Sequence, residues 1–505
     1  MILSGKLRII GLIFSVIGII VGLVAFIDRE AHFFSFLSPD GVIGPGGVRV
    51  LNLLGLCLAV ISLFIGVMIL KYRFFLKFAS GTFKKLDKIP DRQWLFFIIV
   101  LSLALRVAWI IYLPSRPVSD FAEYYHWGLR LSRGEPYNYR QGLGYGSVLV
   151  PTAYKPPGFP LFLAGVFKIC GPSLEAAKLA QAALGTLACL LLFYLVKEVA
   201  TGFAAKLSAL ILAVYPPYIF AASLIASEHL LIIFLLPAII CFLKGMVARS
   251  YFWMVASGIL LGCSIMVKSQ AIFFPVAFAL AGLLSEKRFF SRCWPLMLTL
   301  LIVSYAATVP WQWRNYRIHH HWGIIALNGG VTFFHSNTPR GIQQIPPLKT
   351  RLLREGYSEY EMDRWFYRKG WENIKRHPFW VIKNIVTFKL RRFFSFLDQE
   401  WLAQYNLKKT SRKIEHKNLV FHLIVYISVA GYSLLFLAFL YGLLTSGKFN
   451  LFQMLCAMII IYWIISVIIF HGNPRYRYPL IPLYAYFAAL GITRLAKRLN
   501  RLSIE

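Results

Sequence analysis

Apolar residues run in blocks close to twenty long, divided by short polar and basic turns, through most of the chain. The blocks fall at 8–27, 50–70, 93–113, 174–197, 203–222, 228–244, 251–268, 270–285, 292–311, 419–444, 450–470 and 476–494. A bilayer core takes roughly 20 apolar residues per helix, so the pattern predicts an all-α polytopic membrane protein with about 12 transmembrane helices. One further run, "GFPLFLAGVFKIC" at 158–170, is too short to span. It reads as a juxtamembrane helix, dipping into the outer leaflet or packed on the bundle.

The turns fix an orientation. The loop 71–92 carries seven Lys or Arg, which places it in the cytoplasm by the positive-inside rule. Both termini then lie inside, and the loops 28–49, 114–173, 223–227, 312–418 and 471–475 lie outside. Lys197 and Lys206, Lys244 and Arg249, and the tail Arg494 to Arg501 fall inside, as the rule asks. "MILSGKLRIIGLIFSVIGIIVGLVAF" has the basic start of a signal peptide, but its apolar stretch is too long and no small-x-small site follows, so a retained span is expected.

The domains expected are a two-span extension with its basic loop at 1–92 and a core at 93–311. An extracytoplasmic or interfacial helical segment follows at 312–418, then the C-terminal helices at 419–505. In 312–418, Ser358 and Glu361 form a capping box ahead of a helix that Pro378 interrupts. "FWVIKNIVTFKLRRFFSFL" then mixes apolar bulk with Lys383, Lys389, Arg391 and Arg392, the composition of a helix lying on the bilayer.

Composition changes the picture in one respect. The 505 residues hold 54 Lys and Arg against 21 Asp and Glu, a formal charge of +33, with 58% hydrophobic residues. Such a charge suggests nucleic acid, but its placement in turns between apolar blocks assigns it to membrane orientation instead. The seven cysteines, at 57, 170, 189, 241, 263, 293 and 456, sit in or beside apolar blocks without ligand or disulfide spacing.

The scarce carboxylates and several cations gather on the outer face. Asp120 and Glu123 open the first outer loop, "YKPPGF" brings Tyr154, Lys155, Pro156 and Pro157 to its end, and "IASEHL" puts Glu228 at the next outer turn. "PWQWRN" places Arg314 and Asn315 outside another span, and "NPRYRYPLIP" places Arg475 and Arg477 outside the last hairpin. Singly, each has a plain structural reading. Asp120 caps a helix over "AEYYHWGLRL", Lys155 and Arg475 snorkel, and Arg314 joins an aromatic belt. "EYEMD", with Glu359, Glu361 and Asp363, reads as a solvated helix face, and His319–His321 lack the spacing of a metal site.

Jointly they suit one chemistry. A carboxylate base removes the proton of an acceptor hydroxyl, which attacks a sugar carbon bearing a phosphate. Phosphate leaves as an anion without a general acid, and Lys or Arg stabilises its charge. A glycoside hydrolase would need a carboxylate pair at set separation, which the chain does not display.

From about residue 93 to 495 the motif order resembles the GT-C class of polyprenyl-phosphate-sugar glycosyltransferases, whose relatives include protein O-mannosyltransferases and the aminoarabinose transferase of lipid A. The family pattern D-x-x-x-Y-x-x-x-A/G-x-x-L-x-x-G meets Asp120, Tyr124, Gly128, Leu131 and Gly134. Lys-Pro-Pro meets Lys155, Pro156 and Pro157, Ser-Glu meets Ser227 and Glu228, and Pro-Trp-x-x-Arg-Asn meets Pro310, Trp311, Arg314 and Asn315. A Gly pair with a later Asn meets Gly329, Gly330 and Asn337, and Arg-Tyr-x-x-Pro-x-x-Pro meets Arg475, Tyr476, Pro479 and Pro482. Two departures stand out. Many relatives have Asp-Glu where this chain has Asp120-Phe121, and 1–75 adds two spans with no assigned role.

The resemblance implies an inverting transferase with Asp120 as base and Glu123 or Glu228 as alternative or supporting acid. Lys155, Arg314, Arg475 and Arg477 would bind the donor phosphate, and Tyr124, Tyr154, Pro156, Pro157, Asn315 and Asn337 would shape the site. The partners implied are a polyprenyl-phosphate-linked sugar, a lipid, glycan or protein acceptor, and membrane lipids, with no nucleic acid. The location implied is the bacterial inner membrane with the site facing the periplasm. No cofactor is implied, and with no Asp-x-Asp motif in view a divalent metal stays open. A transporter or flippase of lipid-linked sugars is the alternative, but it needs charge near the bilayer midplane, and the spans read as free of charge at their middles.

Overall fold

Asp91–Tyr112 (α1) is the first apolar block in the part of the chain that the computed structural model describes, residues 86–141, 148–285, 293–395, 402, 405 and 419–502. The blocks at 8–27 and 50–70, the loop 28–49 and most of the basic loop lie outside the described residues. After α1 come Asp120–Ser132 (α2), the strands Asn138–Gln141 (β1) and Val148–Pro151 (β2), and Gly158–Cys170 (α3). Leu174–Val199 (α4) and Gly202–Val214 (α5) follow, each started by a hydroxyl cap: Ser173 accepts from the Ala176 amide at 3.0 Å, Thr201 from that of Ala204 at 3.3 Å. Then run Glu228–Ala248 (α6), Tyr251–Val267 (α7), Phe274–Ser285 (α8), Trp294–Ala306 (α9) and Val309–His319 (α10).

After α10 come Gly329–Asn337 (α11), Gly341–Arg354 (α12), Glu359–Arg376 (α13) and Pro378–Asn384 (α14), which continues through a π-helical turn, Ile385–Leu390, to Arg391–Phe394. Leu419–Leu444 (α15), Leu451–Ile469 (α16) and Ile481–Leu502 (α17) complete the chain.

The expected twelve spans need correction. Among the described residues six helices are long and apolar enough to cross a membrane, or up to eight if two bent pairs each count as one. Gly202–Val214 turns by 53° into Pro216–Ser223, and Trp294–Ala306 turns by 43° into Val309–His319. Prolines lie at the start of both second halves, where a missing amide and a fixed φ suit a new helix and not a continued one. The blocks 251–268 and 270–285 yield helices of 17 and 12 residues. At 1.5 Å per residue these reach about 25 and 18 Å, short of the roughly 30 Å core. Hydropathy counts apolar residues and is blind to the break between them.

Arg106 corrects the reading that the spans carry no charge in their middles. It is fully buried in α1. Its Nη1 donates to the Ser102 hydroxyl at 2.6 Å and to the Ala213 carbonyl at 3.2 Å, in the last turn of α5 just before the bend. Carbonyls at a helix end lack partners within the helix and carry partial negative charge. The buried cation satisfies them.

The bundle pairs α6 with α7, α7 with α9, α8 with α16, and α15 with α17. Among the shorter helices, α2 packs on α3 and α11 on α13. The capping box forms as expected, Ser358 N donating to Glu361 Oε2 at 2.8 Å. The helix face it begins is not solvated throughout: Glu361 is exposed, but Asp363 is buried and Glu359 faces the loop after β2. Gly330 explains part of this, because a Cβ there would collide with the Asp363 carbonyl oxygen. The β1–β2 hairpin, pairing Asn138 with Pro151, is the one departure from an all-α chain among the described residues.

Candidate active site

Asp120 begins α2 directly after Ser119, whose φ of 52° is strained for a residue with a side chain. The structure does not use Asp120 as the helix cap, because Ser119 takes the N-cap position and Asp120 is the first helical residue. Its carboxylate instead meets two cations, Lys155 Nζ 2.8 Å from Oδ1 and Arg475 Nη1 3.5 Å from Oδ2. Lys155 also lies 2.5 Å from Glu123 Oε2, one turn along α2. Arg475 pairs with Glu228 through Nε to Oε1 at 2.7 Å and Nη2 to Oε2 at 3.2 Å.

Lys268 completes the cluster, its Nζ 2.9 Å from Glu228 Oε1. Sequence reasoning missed it. The available signal was a lysine at the tip joining the blocks 251–268 and 270–285, which the expected orientation puts on the face where lysine is disfavoured. Three carboxylates and three cations thus meet, and they balance.

Aromatic rings lie under the cations. Lys155 Nζ is 4.7 Å from the Tyr124 ring centre, Arg475 is 4.5 Å from Phe121, and Lys268 is 5.3 Å from Tyr476. Such faces attract cations without neutralising them. Burial pushes the Asp120 carboxyl up, but Lys155 and Arg475 outweigh it and hold the group below its ordinary value. Burial lowers Lys155, yet Asp120, Tyr124 and Glu123 outweigh that and keep it protonated. Asp120 stays accessible, its side chain 51% exposed, whereas that of Glu228 is 2% exposed.

The loop carrying Lys155 is pinned from several sides. Thr152 Oγ1 donates to Glu359 Oε1 at 2.6 Å, and the Ala153 amide to Glu359 Oε2 at 2.9 Å. Arg314 donates to the carbonyls of Thr152 at 2.6 Å and Tyr137 at 2.9 Å. Pro157 precedes the first turn of α3, and Pro156 and Tyr154 face the cavity described next.

A cavity of about 930 Å³ begins at this charged cluster, where Asp120, Lys155, Lys268 and Arg475 line it. One wall is apolar, built from Ile272, Val276 and Leu280 on one side and Met458, Ile461 and Ile465 of α16 on the other. The outer wall includes Trp322, Tyr360, Asp363 and Tyr367. Burial pushes Asp363 up to about 6, although its Oδ1 accepts the Gly330 amide at 2.7 Å.

Other expected site residues lie elsewhere. Arg314, Asn315, Asn337 and Arg477 are absent from the cavity lining. Asn315 Nδ2 donates to the Ile324 carbonyl at 3.0 Å, and Arg477 Nη1 donates to those of Phe393 and Ser395 at 2.8 and 2.9 Å. Among the described residues no group of three or more His, Cys, Asp or Glu side chains is placed to hold a metal ion. The donor set fits one poorly, since Lys155 already bridges Asp120 and Glu123. In the histidine run, His319 lies 3.6 Å from Glu359 while His321 stacks on Tyr360.

A sequence profile described as dolichyl-phosphate-mannose-protein mannosyltransferase matches residues 154–313, from beside Lys155 to beside Arg314. Among solved structures, the oligosaccharyltransferase of Archaeoglobus fulgidus in complex with Zn and sulfate is similar at a TM-score of 0.50 and 16% identity, covering 80% of this chain and 49% of that one. The chain has the GT-C fold. The archaeal oligosaccharyltransferase AglB of the same organism, with an inhibitory peptide and a dolichol-phosphate, gives 0.49 and 15%, covering 81% and 51%. This chain therefore spans about half the length of those proteins. ArnT from Cupriavidus metallidurans bound to undecaprenyl phosphate is more loosely similar, at 0.36 and 16%, covering 81% and 79%. No curated protein sequence matches the chain.

Proposed function

We propose that the protein transfers a sugar from a polyprenyl-phosphate-linked donor to an acceptor hydroxyl at the outer membrane face, with inversion. One observation carries the reading: an accessible, ionised carboxylate, Asp120, stands beside Lys155 and Arg475 where a charged cavity end meets an apolar wall. The apolar wall suits a polyprenyl chain, and the cluster of cations suits its phosphate.

In this reading Asp120 takes the proton of the acceptor hydroxyl as that oxygen attacks the anomeric carbon. The bond from that carbon to the phosphate oxygen breaks, and its electron pair leaves with the lipid phosphate. Lys155, Lys268 and Arg475 stabilise the departing charge, so no proton donor is needed. Glu228 holds Lys268 and Arg475 in place, and Glu123 shares Lys155. Arg314 and Arg477 bind backbone carbonyls and fix the loops that carry Lys155 and Arg475.

The test uses the purified chain with undecaprenyl-phosphate-linked sugars and membrane extract. Lipid phosphate is released only if the sugar–phosphate bond breaks, an outcome that a flippase does not give. Asp120→Asn keeps the shape of Asp and should bind undecaprenyl phosphate yet lose roughly 100-fold or more in turnover. Full activity in that variant would end the assignment.

A further inference from the structure

Arg475 is the second residue of the 3₁₀ turn Pro474–Leu480, which is separated from the end of α16 at Ile469 only by a short stretch, 470–473, with little structure of its own. What holds that stretch lies outside the charged cluster, in the segment 385–395. Lys389 is fully buried there, on the π-helical turn. Its ammonium donates to Asn337 Oδ1 at 2.9 Å and to the carbonyls of Ile468 at 2.8 Å and Ile469 at 3.3 Å.

None of those three acceptors is a carboxylate. Two are the last carbonyls of α16, which carry the partial negative charge of a helix C-terminus. Burial pushes Lys389 down to about 8. A buried ammonium without a counter-ion is costly, so a neutral side chain would serve packing better. Asn337 reinforces the joint, its Nδ2 donating to the Ile469 carbonyl at 3.0 Å.

Two more contacts complete the arrangement. Gly472 lies directly on Lys389, where a Cβ would collide with the Lys389 backbone. Beyond Arg475, the guanidinium of Arg477 reaches back to the carbonyls of Phe393 and Ser395. The segment 389–395 therefore grips the chain on both sides of Arg475, whose own bonds go to Glu228 and Asp120.

We propose that Lys389 is a positioning residue for Arg475: it ties the end of α16 to the outer segment and so aims the guanidinium at the charged end of the cavity. The role assigned to Arg475 rests on the glycosyl-transfer reading above; the brace itself does not. Asn337 acts with Lys389, and its place in the site is to orient that ammonium.

The test is a double-mutant cycle on the full chain in lipid nanodiscs, with Lys389→Met and Arg475→Ala singly and together. Binding of undecaprenyl phosphate is measured in all four proteins, along with hydrogen exchange of the 470–476 amides. Lys389→Met should speed exchange in 470–476 and weaken binding about tenfold when Arg475 is present, but less than twofold when it is Ala. Gly472→Ala, which keeps the ammonium but crowds the joint, should act in the same way and serves if Lys389→Met fails to fold. Unchanged exchange, or equal losses in both backgrounds, would overturn the proposal. If Arg475→Ala alone leaves binding intact, the phosphate reading fails, and the exchange result alone decides the brace.

Discussion

Arg475 and Glu228, 247 positions apart, face each other fork to fork, with Nε 2.7 Å from Oε1 and Nη2 3.2 Å from Oε2. Glu228 also receives Lys268, so one buried carboxylate holds two cations that line the cavity. Glu228→Gln keeps the shape and removes the charge. Breaking a buried pair from one side typically costs roughly 3–5 kcal/mol, because the partner charge is left uncompensated. Unfolding in mild detergent should register that loss; an unchanged midpoint would show that Glu228 does not anchor the cluster.

Lys268 and Arg314 separate binding from support. Lys268 lines the cavity, whereas Arg314 spends its guanidinium on the carbonyls of Thr152 and Tyr137. Lys268→Ala should weaken binding of undecaprenyl phosphate on the order of 100-fold if the site is dry. Arg314→Ala should lower thermal stability and shift affinity only as far as the Lys155 loop loosens. The opposite pattern in binding isotherms and melting curves would return Arg314 to the phosphate and remove Lys268 from it.

Asp120, Lys155, Glu228 and Arg475 were readable because each stands at the edge of an apolar block with few other charges nearby. Lys268 was overlooked because a single lysine between two blocks looks like a turn residue until the chain folds. Lys389 was hidden differently: its neighbours Lys383, Arg391 and Arg392 gave the segment an interfacial look, and no periodicity reveals that one cation of the four turns inward onto a helix end. Glu359 and Asp363 read as solvent-facing because the groups that meet them, Thr152 and Ala153 after β2 and Gly330 in α11, are distant in sequence. The span count failed at Pro216, Pro217 and Pro310, where composition continues and direction does not, and at 251–285, where two apolar blocks give helices too short to span.

Cys170 offers a test of orientation without an engineered probe. It ends α3 and is exposed, whereas Cys189, Cys293 and Cys456 are buried. If 114–173 faces outward, a membrane-impermeant maleimide added to intact spheroplasts should label Cys170, as read by peptide mass. Labelling only after the membrane is opened would invert the topology and move the candidate site to the cytoplasm.

The pH dependence of turnover follows from the pairing of Asp120. Lys155 and Arg475 hold its carboxyl below the ordinary value near 3.9, so the free protein keeps this proposed base ionised throughout the usual working range. In the glycosyl-transfer reading, donor phosphate, once bound, draws on the same two cations. Each then stabilises the Asp120 carboxylate less, and the carboxyl pKa rises in the complex. The acid limb of kcat/KM reports the free protein and that of kcat reports the complex. The kcat limb should therefore lie at the higher pH, while kcat/KM stays flat to the lowest pH the protein tolerates. The sign is set by which state has the less protected carboxylate, and that is the complex. Coincident limbs, or a kcat/KM limb above that of kcat, would mean that the phosphate does not share Lys155 and Arg475 with Asp120.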